Sequence, residues 1–278
     1  MCVYGRSDRR PFNGQSVVFV GVDAALVAPP AHVAVFKSGG PTFWELADQA
    51  LSSTDRGYEK LAAKFDYTPF RTPDVVLSPI GEFIANKQGT VATAIDLCTG
   101  TGAGLQMLKP IVTERLVGID RVEGMVQQAQ KTVAQPVDGV SIEFWVDDVL
   151  SAAFTPDFDI AVSFGAFGHI LASDEAQFVH QVWRVLKPGG RFYFVTAENP
   201  GPRRLVWWLA RGFNGAMRIR NALIKPAFIM YYLTFLLPQC RRLLEARGFV
   251  VHEHRGLWSE HWGERLVLVE AQKPIATG

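Results

Sequence analysis

The chain has 278 residues, 48% hydrophobic and 20% charged, which is globular composition with room for one large α/β domain or two small ones. A formal net charge of +1 removes any bulk-charge argument for nucleic acid as partner, because binding a phosphate backbone needs a concentrated positive field. Three widely spaced cysteines, Cys2, Cys98 and Cys240, form neither a CxxC pair nor a Cys/His cluster, so no metal site is expected, and a reducing, cytoplasmic compartment is the simplest reading.

Residues 1–40 carry Arg6, Arg9 and Arg10, then an apolar stretch from Val17 to Ala28 that Asp23 interrupts and Pro29 and Pro30 follow. This reads as a poorly ordered or loosely docked extension rather than a cleaved leader, and Ser38-Gly39-Gly40 reads as its linker. Thr42 can cap a helix carrying Phe43, Trp44, Leu46 and Ala47. A second helix is expected from Asp55 to Phe65, with Tyr58, Leu61, Ala62 and Phe65 on one face. Pro69, Pro73 and Pro79 then break the chain, and a short third helix is expected from about Pro79 to Lys87, completing a helical cap over 41–90.

From Val91 short apolar runs alternate with helical patterns. Strands are expected at 92–97, 115–120, 141–146, 158–164 and 191–196, with helices after the first two and a third from Asp174 to Leu186, closed by Lys187-Pro188-Gly189-Gly190. Residues 199–238 interrupt the alternation with an insertion rich in Trp, Phe, Tyr and Arg, in which Pro200, Pro202 and Pro226 argue against a single long helix. A helix at 239–246 and strands at 249–258 and 265–271 follow. The short connection Ser259 to Glu264 demands an antiparallel pair. The whole predicts an α/β, doubly wound, mostly parallel seven-stranded sheet ending in an antiparallel hairpin.

The segment Asp96-Leu97-Cys98-Thr99-Gly100-Thr101-Gly102-Ala103-Gly104 turns a strand into a helix through glycines that leave the backbone open to a ligand. A dinucleotide site wants G-x-G-x-x-G, but Leu105 stands where the third glycine belongs, and the carboxylate of Asp96 at the entrance suits a cationic group better than a pyrophosphate. The segment resembles the first motif of class I S-adenosylmethionine-dependent methyltransferases, in the form found among quinone-type and related small-molecule enzymes. Those usually have glycine at the position of Cys98. The resemblance covers roughly residues 55–272. It implies a methyltransferase domain over 41–278 with S-adenosyl-L-methionine as cofactor. It places Asp96, Cys98, Thr99, Gly100 and Gly102 along the methionine part and Asp120 and Arg121 at the ribose, with Met125 facing adenine. Asp147, Asp148 and Val149 fall near the adenine amino group, and Ser163 and Phe164 at the end of the fourth strand.

For the acceptor, His169 follows the fourth strand and is the first candidate for general base, since an imidazole titrates near neutrality; capping the helix that starts near Asp174, or bonding the backbone, is the structural role it could have instead. The insertion 199–238 reads as a helical lid over a small, lipophilic acceptor. The Trp/Arg mix of 203–237 also suits peripheral contact with a membrane, or packing on itself or a dimer partner. His252 and His254 share one face of a strand without a third ligand. An NAD(P)-binding oxidoreductase and a catalytically inactive binding protein remain as alternatives. No N-P-P-Y-type motif follows the fourth strand, where Ser163-Phe164-Gly165 stands instead, which speaks against a nucleic-acid methyltransferase.

Overall fold

A computed structural model describes residues 39–68, 70–133, 139–258 and 265–275. The expected extension over 1–40 therefore lies outside the described residues, apart from Gly39 and Gly40.

Seven strands form one sheet: β1 (Val91–Leu97), β2 (Val112–Asp120), β3 (Ser141–Val146), β4 (Phe158–Ser163), β5 (Leu186–Ala197), β6 (Val250–His254) and β7 (Leu266–Gln272). Their order is β3-β2-β1-β4-β5-β7-β6. The first five run parallel, and β7 is antiparallel to both β5 and β6. The predicted sheet and its terminal hairpin are thus present. The central strands β1, β4, β5 and β7 are largely apolar on both faces because both are covered. On one side Ile95, Leu97, Phe192 and Phe194 pack against Phe178 and Val182 of α6 (Glu175–Val185) and Leu244 of α8 (Gln239–Arg247). On the other, Ala94, Leu116, Tyr193 and Val195 meet Ile80 and Ile84 of α3 (Asp74–Gln88) and Leu105 of α4 (Ala103–Leu108). Helix α5 (Glu123–Thr132) follows β2.

The N-terminal helices are α1 (Phe43–Leu51) and α2 (Thr54–Leu61), the latter continuing as a 3₁₀ segment to Tyr67. Thr42 and Glu45 cap α1 reciprocally, as the spacing of those two residues favours. Helix α3 starts at Asp74, earlier than expected, and takes Pro79 into its body. The ring forfeits one backbone bond, to the carbonyl of Val75 on the solvent side, and four buried apolar residues outweigh that loss.

Two further expectations fail. Lys187-Pro188-Gly189-Gly190 does not separate α6 from the fifth strand: β5 begins at Leu186, and the four residues bulge out between the pairings Phe158–Leu186 and Ile160–Arg191. The insertion does contain one long helix, α7 (Leu205–Leu223), because its prolines flank that helix instead of interrupting it. The apolar run after it is irregular, turning through left-handed backbone at Leu233 and Phe235, and its Phe235, Leu236 and Leu237 are buried. No described helix is long and apolar enough to cross a membrane. His254 Nε2 donates to the buried carboxylate of Glu270 at 2.8 Å, which also pairs with Lys87 and Arg191.

Candidate functional site

Strands β1 and β4 lie side by side although two strands and two α-helices separate them in the chain, so the connections leaving β1 and β4 part in opposite directions. A crevice opens at their carboxyl ends. There the backbone after Leu97 passes through left-handed conformations at Cys98 (φ 60°), Gly100 (φ 53°) and Gly102 (φ 89°). Cys98 therefore occupies a conformation that glycine takes without strain, which is the physical content of its departure from the motif it resembles.

Each glycine of the loop has its own reason. Among the described residues nothing lies within 4 Å of where a Cβ on Gly100 would sit, so that backbone is open toward the cavity it lines. A Cβ on Gly102 would come 2.8 Å from Val133, and one on Gly104 would come 2.5 Å from the carboxylate of Asp96. Gly104, one position before the place of the third dinucleotide glycine, thus lets Asp96 lie against the first turn of α4.

Asp96 accepts a hydrogen bond from the Thr99 hydroxyl at 2.7 Å. Burial pushes its carboxyl up to about 7, and the neighbouring charge of Asp120 adds to this against the Thr99 and Leu105 donors. Asp120 ends β2 and accepts from the N–H of Gly100 at 2.9 Å and of Val122 at 3.0 Å. Its pKa is also raised by burial, with those two N–H groups opposing. Asp147 accepts from the Asp148 N–H at 2.7 Å, and Asp148 from the Leu150 N–H at 3.0 Å, so both shape the turn after β3.

All the predicted residues except Gly102 and Ser163 line one cavity of about 370 Å³. Gly102 packs against α5 instead, and the buried Ser163 hydroxyl donates to the Leu97 carbonyl at 2.8 Å, tying β4 to β1. Met125, Val149 and Phe164 do line it, as does Arg121, which bonds Asp55 at 2.7 Å.

Helix α2 supplies what the motifs did not reveal. Its Glu59 accepts from the Gly124 N–H at 2.8 Å, capping α5 where Val122 cannot. Asp66 accepts from the Thr101 hydroxyl at 2.6 Å. Tyr58, which the periodicity marked only as a core position, turns its hydroxyl to His169 Nε2 at 2.9 Å. His169 Nδ1 stands 2.7 Å from the carbonyl of Ile229. A carbonyl can only accept, so Nδ1 carries the hydrogen in the neutral ring and Nε2 accepts from Tyr58. Burial lowers the His169 pKa, which keeps the ring neutral, and raises that of Tyr58. The capping role considered for His169 is absent, since it lies in its own 3₁₀ turn (Phe167–His169) ahead of α6. The segment after α7 closes the cavity with Ile229, Met230, Tyr231 and Tyr232.

One end of the cavity is therefore acidic and hydroxyl-seeking, and the other is aromatic with a neutral imidazole behind a phenol. Residues 94–190 match a family model described as a methyltransferase domain. No curated protein matches the chain. Among solved structures, the 1,6-didemethyltoxoflavin-N1-methyltransferase of Burkholderia thailandensis aligns over 87% of this chain and 94% of its own, at 17% identity and a TM-score of 0.56. A SAM-dependent methyltransferase of Methanosarcina mazei aligns over 69% and 97%, at 18% identity and a TM-score of 0.53. A phosphoethanolamine N-methyltransferase of Haemonchus contortus aligns over 70% and 52%, at 18% identity and a TM-score of 0.50. Identities this low are a likeness of fold.

Proposed function

We propose that this chain, a class I S-adenosylmethionine-dependent methyltransferase, moves the methyl group onto a small, lipophilic acceptor held between α2 and the segment 226–232. One observation carries the acceptor class: the cavity that holds Asp96 and Asp120 is walled on its other side by Tyr58, Phe65, Phe164, Met230, Tyr231 and Tyr232. The quinone-type resemblance belongs within that class. Peripheral contact of 203–237 with a membrane fits the same acceptor chemistry.

The residues present fit the cofactor. Three carboxylates, Asp96, Asp120 and Asp148, edge the cavity around open backbone at Gly100, and Asp55 Oδ1 is buried there without a hydrogen-bond partner among the described residues. Such a donor-hungry rim suits ribose hydroxyls and an ammonium group, and it repels a pyrophosphate, which weighs against an NAD(P) oxidoreductase. Asp120 would hold the ribose, Asp96 the amino group, and Asp148 with Met125 and Val149 the adenine. When bound, the cofactor supplies a methyl group already activated on a sulfonium.

What remains for the chain is alignment, exclusion of water and removal of the acceptor's proton. Both nitrogens of His169 are engaged, so the acceptor meets Tyr58 first. The acceptor's proton passes to the Tyr58 oxygen as the Tyr58 proton passes to His169 Nε2, and the resulting imidazolium keeps its Nδ1–H on Ile229. The test is a thermal-shift comparison of S-adenosylhomocysteine, NAD and ATP. Methyl-labelled cofactor is then offered with phenols, hydroquinones and aromatic amines. Stabilisation by S-adenosylhomocysteine and label in an apolar product support the reading; stabilisation by NAD alone overturns it.

A further inference from the structure

Helix α7 is amphipathic the wrong way round for a helix that meets only water on its outside. Its inner side holds the cavity wall by polar contacts. Asn214 donates to and accepts from the backbone of Tyr232, both at 2.8 Å, and Asn221 does the same at Phe228, at 3.0 and 2.9 Å. Arg220 donates to the carbonyls of Ala50 and Ser52 at the end of α1. Only Ala210 of the nineteen residues is buried. The outer side carries Leu205, Trp208, Leu209, Ile219 and Leu223, each between 59% and 78% exposed. With 3.6 residues per turn these fall in one stripe, and small Gly212 and Ala216 lie between them. Arg204, Arg211 and Arg218 run along one flank of that stripe.

Residues 199–238 contain six basic residues and no acidic one, in a chain whose net charge is only +1. That decides what covers the stripe. A second copy would bring the same basic flank against itself. Residues 1–38 hold four basic and two acidic residues, so they offer no counter-charge. An anionic bilayer offers both an apolar interior and phosphates. The helix is roughly 28 Å long at 1.5 Å per residue, but it is not apolar enough to span.

We propose that α7 lies in the plane of an anionic membrane surface. Its apolar stripe enters the boundary between headgroups and acyl chains, and Arg204, Arg211 and Arg218 rest on lipid phosphates. The inference rests on the lipophilic-acceptor reading, since Asn214 and Asn221 couple this helix directly to the wall through which such an acceptor would enter.

The experiment is flotation of the full chain with vesicles of phosphatidylcholine alone and of phosphatidylcholine with phosphatidylglycerol. Calorimetric binding of S-adenosylhomocysteine runs in parallel. Binding to the anionic vesicles, weakened by salt and at least about tenfold weaker in Leu209→Glu/Ile219→Glu, supports the proposal, provided that variant still binds S-adenosylhomocysteine. Arg211→Gln/Arg218→Gln gives a milder second variant, expected to lose the preference for anionic vesicles while keeping the fold. The proposal is overturned by a protein that binds S-adenosylhomocysteine and floats with neither vesicle. A dimer in light scattering that Leu209→Glu/Ile219→Glu dissolves overturns it too, as does vesicle binding that appears only after residues 1–38 are removed. Loss of S-adenosylhomocysteine binding with vesicle binding intact strikes the cofactor assignment instead.

Discussion

Tyr58 and His169, 111 residues apart in the chain, share a 2.9 Å hydrogen bond that commits the phenol to donate and leaves its oxygen able to accept. The pair joins the N-terminal helices to the end of β4, so the cap is part of the site and not a cover laid over it. Its consequence is that neither residue acts alone.

Tyr58→Phe keeps the ring between Phe65 and Phe228 and removes only the hydroxyl. It should cut methyl transfer by about a hundredfold or more, as should His169→Ala, and the double variant should lose little beyond either single one. S-adenosylhomocysteine affinity should stay unchanged in Tyr58→Phe. Additive losses in labelled-methyl assays would separate the two residues.

The neutral His169 sets an acid limb. Burial holds its pKa below the ordinary value of ~6.5, so turnover should persist at that pH and fall only below it. The same shift makes the fold less stable as pH falls from ~6.5 through the folded pKa, because the unfolded chain takes the proton first. A pH–rate profile breaking above ~6.5 would remove His169 from the proton path.

Asp96 behaves in the opposite sense. Its carboxyl is raised to about 7, well above the ~3.9 of an unfolded chain. On this group alone, the stability of the free protein is complete below pH ~4 and is lost as pH rises through 7. An ammonium group placed beside it favours the carboxylate, so binding S-adenosylhomocysteine below pH 7 should release a proton and tighten with rising pH. Calorimetry in buffers of different ionisation enthalpy reads the proton directly, and Asp96→Asn should abolish it.

Asp120→Ala should weaken S-adenosylhomocysteine by about 1–3 kcal/mol if the carboxylate holds the ribose hydroxyls. It also strands the N–H groups of Gly100 and Val122, so a loss of stability should accompany it in denaturant titration. Unchanged affinity in a destabilised protein would reduce Asp120 to a brace for the loop.

Gly104→Ala sets a Cβ 2.5 Å from the Asp96 carboxylate and should cost about 1–3 kcal/mol of stability. Gly100→Ala meets no atom and should cost only about 1 kcal/mol for its left-handed backbone. Equal midpoints in urea would show that the loop relaxes around either side chain.

Local chemistry was enough for much of this protein. Apolar runs of strand length, the Thr42–Glu45 cap, the glycine loop and a connection too short for a crossover are properties of neighbouring residues, so the sheet, its hairpin and the acidic rim at Asp96 and Asp120 could be read from order and spacing. Proline was misread twice for the same reason: its cost is local, but whether a helix accepts Pro79, or runs between Pro202 and Pro226, depends on the surface it buries or grips. Gly102 lies against Val133 and Ala129, and the Ser163 hydroxyl at the end of β4 turns to the Leu97 carbonyl, because what a residue faces is decided by what packs behind it. Only the tertiary structure brought Tyr58 to His169, Glu59 to the head of α5 and the backbone of 228–232 to the asparagines of α7. Those contacts join residues from 7 to 111 positions apart, and no periodicity or spacing within a single segment encodes a partner on another.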